Sequence, residues 1–261
     1  MDDRAFSEIR DMLDQGIAIK KTREQVNQGF RDVADAFNFF PNASKVSPDF
    51  QYTHELMFRT MATLVPPAPS VLDLGAGTGR LSKLVLSRFP QSQVTLLDVS
   101  EKLLTEAARQ LEEIGAEFRT VVGDLFADDD VQLEADSFDC VVSSYALCHG
   151  RLESEYEGLY TRIRSWIKPG GCFLCLDHVH GSKAELTMLG FEDWAELLRR
   201  NFPEDRVEPI LKNSLIEDSP LDIPHHLSLL SKVGFERVDV LWKKGLFALY
   251  GGFGKADETR H

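Results

Sequence analysis

The residues with the clearest chemical content form a glycine-rich run, Asp73-Leu-Gly75-Ala76-Gly77-Thr-Gly79, between an apolar stretch and a helical one. Glycines at this spacing let the chain turn tightly and let a ligand approach the backbone. A dinucleotide fingerprint, G-x-G-x-x-G, requires glycine at position 80, where Arg80 stands. The acidic residue two before the first glycine has no part in holding a pyrophosphate. The D-x-G-x-G-x-G form instead suits a ligand with an ammonium and no diphosphate. Three more polar positions follow in order. Asp98 ends Val94-Thr-Leu-Leu97, where a carboxylate can accept both hydroxyls of a ribose. Gly123-Asp124-Leu125 offers an acceptor to an exocyclic amine, and Ser143-Ser144-Tyr145 ends a further apolar run. Asp98 and Asp124 also suit helix N-caps; it is their joint order that points to a nucleoside-type ligand.

The histidines supply the candidate bases. His149 follows the run ending in Ser144 and is read either as a base beside the ligand or as a residue ordering its loop. His54 lies on a helical stretch, with a substrate-facing and a surface position equally open. His178 and His180, at i and i+2 on an extended chain, share a face and make a metal geometrically possible. No third ligand is evident, so no metal is expected. His225-His226 precedes an amphipathic segment and reads as packing or capping. Cys172 and Cys175 form a C-x-x-C inside an apolar strand, where residues three apart face opposite sides. They are expected as reduced thiols rather than a dithiol or zinc site.

These residues need a scaffold, and the hydrophobic pattern describes one. Apolar strands are expected at Ser70–Leu74, Val94–Leu97, Phe118–Val122, Phe138–Ser143 and Cys172–Leu176. Helical stretches separate them: Arg80–Arg88, Glu101–Ile114 and Glu153–Ile167. This alternation implies right-handed βαβ units in a doubly wound, mostly parallel α/β sheet with ligand sites at the carboxyl ends of its strands. Phe235–Trp242 and Leu246–Phe253, separated by Lys243-Lys-Gly245, read as a terminal antiparallel hairpin that brings the sheet to seven strands. Residues 1–65 read as helical, broken at Pro41-Asn42 after the aromatic cluster Phe37-Asn-Phe-Phe40. They end at Pro66-Pro-Ala-Pro69. Residues 183–215 read as helix interrupted by Pro203 and Pro209, and Pro224 opens a helix through Lys232 that ends at Gly234. The organisation is a helical lid over 1–65, then a ligand-binding domain over 66–261 with a helical insertion at about 180–232.

The 261 residues carry 29 basic and 42 acidic side chains, a net charge of −13, with 43% hydrophobic and 10% aromatic content. That apolar content excludes general disorder, and no run is long enough to cross a membrane. The acidic balance argues against direct nucleic-acid binding. Between Arg119 and Arg151 there is no Lys or Arg, and Asp124, Asp128, Asp129, Asp130, Glu134, Asp136 and Asp139 fall there. Near a site mouth, such a stretch repels phosphate. The start, MDDRAFSEIR, lacks the pattern of a secretory signal, so a cytoplasmic protein is expected.

In VLDLGAGTG, LLDVS, GDLF, FDCVVSSYALCH and IKPGG, over about residues 70–177, the chain resembles the class I S-adenosylmethionine-dependent methyltransferases. The resemblance implies a Rossmann-like fold with S-adenosyl-L-methionine as cofactor. Asp73 and the loop Gly75, Ala76 and Gly77 would hold its methionine part. Asp98 would take the ribose, Val99 would also touch the cofactor, Asp124 and Leu125 would flank the adenine, and Ser144 would lie near the methionine. The flanks AFNFFPNASKVSPDFQYTHEL and GFERVDVLWKKGLFALYGGFGK are similar to a subgroup that includes carboxy-S-adenosylmethionine synthase. This implies a lid in which Tyr52 touches the cofactor and Phe37 and Phe40 wall the pocket.

Methyl transfer is an in-line displacement whose leaving group departs neutral, so alignment and exclusion of water carry most of the acceleration. A base is needed only for a protonated acceptor, with His149 and His54 as candidates. The expected function is methyl transfer to a small-molecule oxygen, nitrogen or carbon. One alternative is carboxy-S-adenosylmethionine synthesis for tRNA wobble-uridine modification. That would need a cation for the added carboxylate, and Arg199, Arg200 and Arg206 are its candidates. Another is a non-catalytic sensor of the cofactor. A NAD dehydrogenase fits the sheet but not Arg80.

Overall fold

A computed structural model describes residues 3–15, 20–32, 43–127 and 131–254. The helices are α1 (Asp3–Gln15), α2 (Arg23–Asp32), α3 (Ala43–Val46), α4 (Phe50–Leu64), α5 (Arg80–Arg88), α6 (Glu101–Glu112), α7 (Glu153–Trp166), α8 (Ala184–Arg199), α9 (Glu204–Glu217) and α10 (Ile223–Lys232). The strands are β1 (Ser70–Leu74), β2 (Gln93–Asp98), β3 (Phe118–Val122), β4 (Phe138–Ser144), β5 (Ile167–His178), β6 (Arg237–Lys244) and β7 (Phe247–Phe253).

The strands form one seven-stranded sheet in the order β3-β2-β1-β4-β5-β7-β6. β1 through β5 pair in parallel, and β7 runs antiparallel to both β5 and β6. Strand order reverses beside β1, so the carboxyl ends of β1 and β4 open a crevice between them. Alternation along the strands divides the core in two. Leu72, Leu74, Val141, Phe173 and Cys175 pack with α7 and α10 residues such as Tyr160 and Leu230. Val71, Cys140, Val142, Cys172 and Leu174 pack on the opposite side with Met57, Met61, Val85 and Ala107. Cys172 and Cys175 thus face opposite layers as expected, and the Cys172 thiol lies 3.4 Å from that of Cys140. A third cluster joins α1, α8 and α9 through Ile9, Phe191, Leu198 and Leu211.

Two expectations need correction. β5 begins at Ile167 rather than Cys172, because Ile167 already pairs with Phe138 across a register shift. Pro209 lies inside α9 instead of interrupting it. Val207, Leu211 and Leu215 are buried on one face of that helix, and their packing offsets the lost backbone bond. Pro203 is the N-cap of α9. His226 packs as expected: its buried ring lies 2.7 Å from the Tyr160 hydroxyl and 3.3 Å from that of Tyr250. Phe37, Phe40 and the acidic run Asp128–Asp130 lie outside the described residues.

Candidate active site

A cavity of about 1430 Å³ lies over the carboxyl ends of the parallel strands, roofed by residues of α2 and α4 and by the loop after α3. It exceeds the size usual for one small ligand, so it has room for a nucleoside-sized molecule and a second reactant. Asp73, Gly75, Ala76, Gly77, Asp98, Val99, Asp124, Leu125 and Ser144 all line it, as do His54 and His149.

The glycine loop leaves β1 with Gly75 at φ 66° and Gly77 at φ 53°, a left-handed conformation that side chains resist. Position 75 admits no side chain in any case, because a Cβ there would meet the Ala146 Cβ at 2.2 Å. The loop is tied to β2 by the Asp98 carboxylate, which accepts the Gly77 N–H at 2.8 Å and the Ser100 N–H at 2.9 Å. Each oxygen keeps acceptor capacity toward a ligand. Burial raises the Asp98 pKa although these N–H groups oppose it. Burial pushes Asp73 up to about 7, against the Ser82 hydroxyl that donates to it at 2.6 Å.

Asp124 is engaged from the roof. Asn27 of α2 donates to its Oδ2 at 2.8 Å, the Phe126 N–H donates to Oδ1 at 2.9 Å, and Arg23 lies 3.6 Å away. Arg23 also donates to Glu155 at 2.6 Å and covers the Phe126 ring. His54 is buried with its Nδ1 2.8 Å from the Phe50 carbonyl, and burial lowers its pKa. Tyr52 departs from expectation: it is 56% exposed and does not line the cavity. It sits two residues, about 200°, around α4 from Phe50, and Phe50 and His54 occupy the inward face.

His149 lies in a 3-10 turn after β4, where Asp177 accepts the Leu147 and Cys148 N–H groups. Its Nδ1 is 3.1 Å from Asp218 Oδ1, and its ring meets Phe30 edge-on at 4.9 Å. Burial disfavours the imidazolium, but Asp218, with Asp177 and Glu217 behind it, outweighs burial and raises the His149 pKa. The other Asp218 oxygen lies 3.3 Å from His178 Nδ1 and accepts the Ser214 hydroxyl at 2.7 Å. Burial opposes the Asp218 charge, yet the two histidines hold its pKa well below the carboxylate range. His178 therefore joins His149 rather than His180; His180 bridges to Asp222 on the backbone and lines a separate depression. Cys148 also brings its sulfur within 4.8 Å of His149 and Asp218. Burial and the carboxylates of Asp177 and Asp218 push that thiol well up, leaving an imidazole–carboxylate pair as the reactive feature.

Sequence reasoning missed Asp218, Asn27, Arg23, Phe30, Trp194 and Phe247, all on the cavity wall. Only the amphipathic pattern of α8 offered a signal, for Trp194. Arg199 and Arg200 lie away from the cavity beside Glu204 and Glu196, and Arg206 does not line it.

A family profile described as a methyltransferase domain matches residues 71–171. Trans-aconitate 2-methyltransferase of Deinococcus radiodurans is 32% identical over 53% of this chain and 51% of its own length. Carboxy-S-adenosyl-L-methionine synthase of Campylobacter concisus is 24% identical over 80% of this chain and 88% of its own. The chain spans about half or less of the length of the first curated relatives it matches, 38% and 51% for two of them. An O-methyltransferase family protein from Burkholderia thailandensis aligns over 97% of this chain and 72% of its own, with TM-score 0.62 and 18% identity. Human N-acetylserotonin methyltransferase, solved with its cofactor, aligns over 97% and 67% with TM-score 0.55 and 20% identity. The two structures share the fold. No described helix is long and apolar enough to cross a membrane. With the glycine loop, the strand-end carboxylates and the matched segment in agreement, residues 71–171 match a methyltransferase domain set in a Rossmann-like methyltransferase fold.

Proposed function

We propose that the protein is an enzyme that transfers a methyl group from S-adenosyl-L-methionine to a hydroxyl of a small molecule, with His149 as general base and Asp218 as the group that orients it. The observation that carries this reading is the His149–Asp218 pair, 3.1 Å apart on the wall of the cavity that also contains the glycine loop. Asp73 and the loop Gly75–Gly77 hold the methionine part of the cofactor, Asp98 and Val99 its ribose, and Asp124 with Leu125 its adenine. Ser144 lies near the methionine end. Residues 1–65 act as a lid over a domain spanning 66–261.

The bound cofactor supplies an electrophilic methyl on sulfur. His149 takes the hydroxyl proton through the ring nitrogen not facing Asp218, and the resulting imidazolium is stabilised by that carboxylate. Removal of the proton matters because a neutral hydroxyl is a weak nucleophile. His54, with Nδ1 on the Phe50 carbonyl and a lowered pKa, is the weaker candidate base. The carboxymethyl alternative draws support from the span of the Campylobacter relative, but none of Arg199, Arg200 and Arg206 lines the cavity.

Mass spectrometry of ligand retained on purification tests the cofactor, since the methyl and carboxymethyl forms differ plainly in mass; the carboxymethyl form would overturn the reading. Production of S-adenosylhomocysteine with a metabolite pool, lost in His149→Ala with cofactor binding kept, is the expected result. Binding without turnover in any pool would identify a sensor.

A further inference from the structure

We infer that the acceptor is a planar aromatic hydroxyl compound bound against Tyr145, His178, Trp194 and Phe247, and that His178 is a positioning residue for Asp218. This rests on the methyl-transfer reading above and extends it to a substrate class.

The cavity wall changes character beyond the glycine loop. From Ser144 onward its described lining contains no Lys or Arg. Instead, four rings converge from four segments that are distant in sequence: the end of β4, β5, α8 and β7. His178, at the end of β5, meets Phe247 edge-on at 4.5 Å, Trp194 at 4.9 Å and Tyr145 at 5.9 Å between ring centroids. Trp194 and Phe247 meet at 5.5 Å, again edge-on. The Trp194 indole N–H is satisfied by the Val46 carbonyl at 2.8 Å, so its ring is held in place. Trp194 and Phe247 are 5% and 3% exposed, so they leave the cavity a narrow apolar surface, which a flat ring matches by stacking or T-shaped contact and a thicker saturated ring does not.

Asp218 is kept ionised between two histidines, with the Lys20 ammonium on its main-chain carbonyl, and Glu217 beside it is joined to Lys21 at 2.6 Å. The cations on the cavity wall are Arg23, Arg80, Lys83, Lys102 and Arg109; Arg23 is joined to Glu155, and Arg80, stacked 4.9 Å from the Phe50 ring, also acts on Tyr145. An aromatic hydroxyl is also the more acidic kind of alcohol, suited to an imidazole base. In the step, the acceptor oxygen bonds to the methyl carbon as the carbon–sulfur bond breaks and its electron pair returns to sulfur. The hydroxyl proton passes to His149. His178, on the second Asp218 oxygen, keeps that carboxylate aimed at His149 and shares its charge.

The test uses the full chain loaded with S-adenosylhomocysteine and three probes: 2-naphthol, decahydro-2-naphthol and 2-naphthoate, titrated by calorimetry. Two ring contacts correspond to about tenfold in affinity, so 2-naphthol is expected to bind at least about tenfold tighter than decahydro-2-naphthol and no more weakly than 2-naphthoate, which lacks the hydroxyl. Equal binding of the saturated alcohol, tighter binding of the naphthoate, or no binding of any probe overturns the inference. With S-adenosylmethionine, 2-naphthol is expected to yield 2-methoxynaphthalene. His149→Ala that binds 2-naphthol and still methylates it refutes the base while the aromatic site stands. For His178, the His178→Phe variant is expected to move the acid limb of turnover to higher pH, because Asp218 then gives its whole charge to His149. His178→Gln, which keeps an N–H for Asp218, should restore the limb. A loss of thermal stability with no shift of the limb would refute the positioning role.

Discussion

Replacing Asp218 by Asn isolates the contribution of one charge to the proposed base. Asn keeps the shape and can still accept the Ser214 hydroxyl, and the Lys20 ammonium contacts the main-chain carbonyl of residue 218, so the fold has little reason to change. The charge at 3.1 Å from His149 Nδ1 is lost. Burial then acts on His149 with Asp177 and Glu217 left to oppose it, so its pKa should fall. The sign follows for activity. In the native protein His149 is protonated, and useless as a base, below its raised pKa, so turnover declines as pH falls through that value. In Asp218→Asn the limb moves to lower pH. The plateau should drop by about a hundredfold, within the range that general-base catalysis supplies, because the imidazolium loses its partner. The assay is NMR titration of the His149 ring protons in the cofactor-loaded protein, paired with the pH profile of S-adenosylhomocysteine formation. An unchanged His149 titration in a folded variant would refute the coupling. A plateau within about twofold of native would show that His149 does not act as base.

Other consequences can be measured directly. Asp98→Ala removes the acceptor of the Gly77 and Ser100 N–H groups, and S-adenosylhomocysteine binding should weaken by about 1.5–3 kcal/mol by calorimetry. Gly75→Ala places a methyl 2.2 Å from the Ala146 Cβ at φ 66°; a loss of about 1–3 kcal/mol is expected in denaturant melts, with loss of cofactor binding. Burial lowers the His226 pKa to about 3. The folded state therefore binds this proton less readily than the unfolded state, and stability falls as pH drops from about 6.5 toward 3 at up to about 1.4 kcal/mol per pH unit. His226→Gln should flatten that slope in pH-dependent melts.

The placement of the residues at the strand ends was legible in the sequence. The glycine loop, Asp98, Asp124 and Ser144 each stand at a strand end that an apolar run of four to seven residues announces, and all line the cavity. Strand boundaries moved where pairing rather than composition decided them, as when β5 took in Lys168-Pro-Gly-Gly171 through its register with β4. Tyr52 was misplaced for a different reason. The flank containing it supplies several aromatics, and only the rotation of α4 selects Phe50 and His54 for the inward face. A strict helical count from Phe50 through His54 to Phe58 was the available signal.

By itself, the sequence determined the parallel sheet with its antiparallel end and the order of polar groups along one edge, because strand alternation and tight turns are properties of neighbouring residues. Tertiary structure decided what that edge faces. His149, His178 and Asp218 belong to three separate segments, and only the return of α9 over the end of β5 brings one carboxylate to 3.1 and 3.3 Å from the two imidazoles. No spacing along the chain encodes that meeting, since the attraction acts through space between side chains that packing has already buried. The same packing sets the aromatic wall beside them, where Tyr145, Trp194 and Phe247 arrive from β4, α8 and β7.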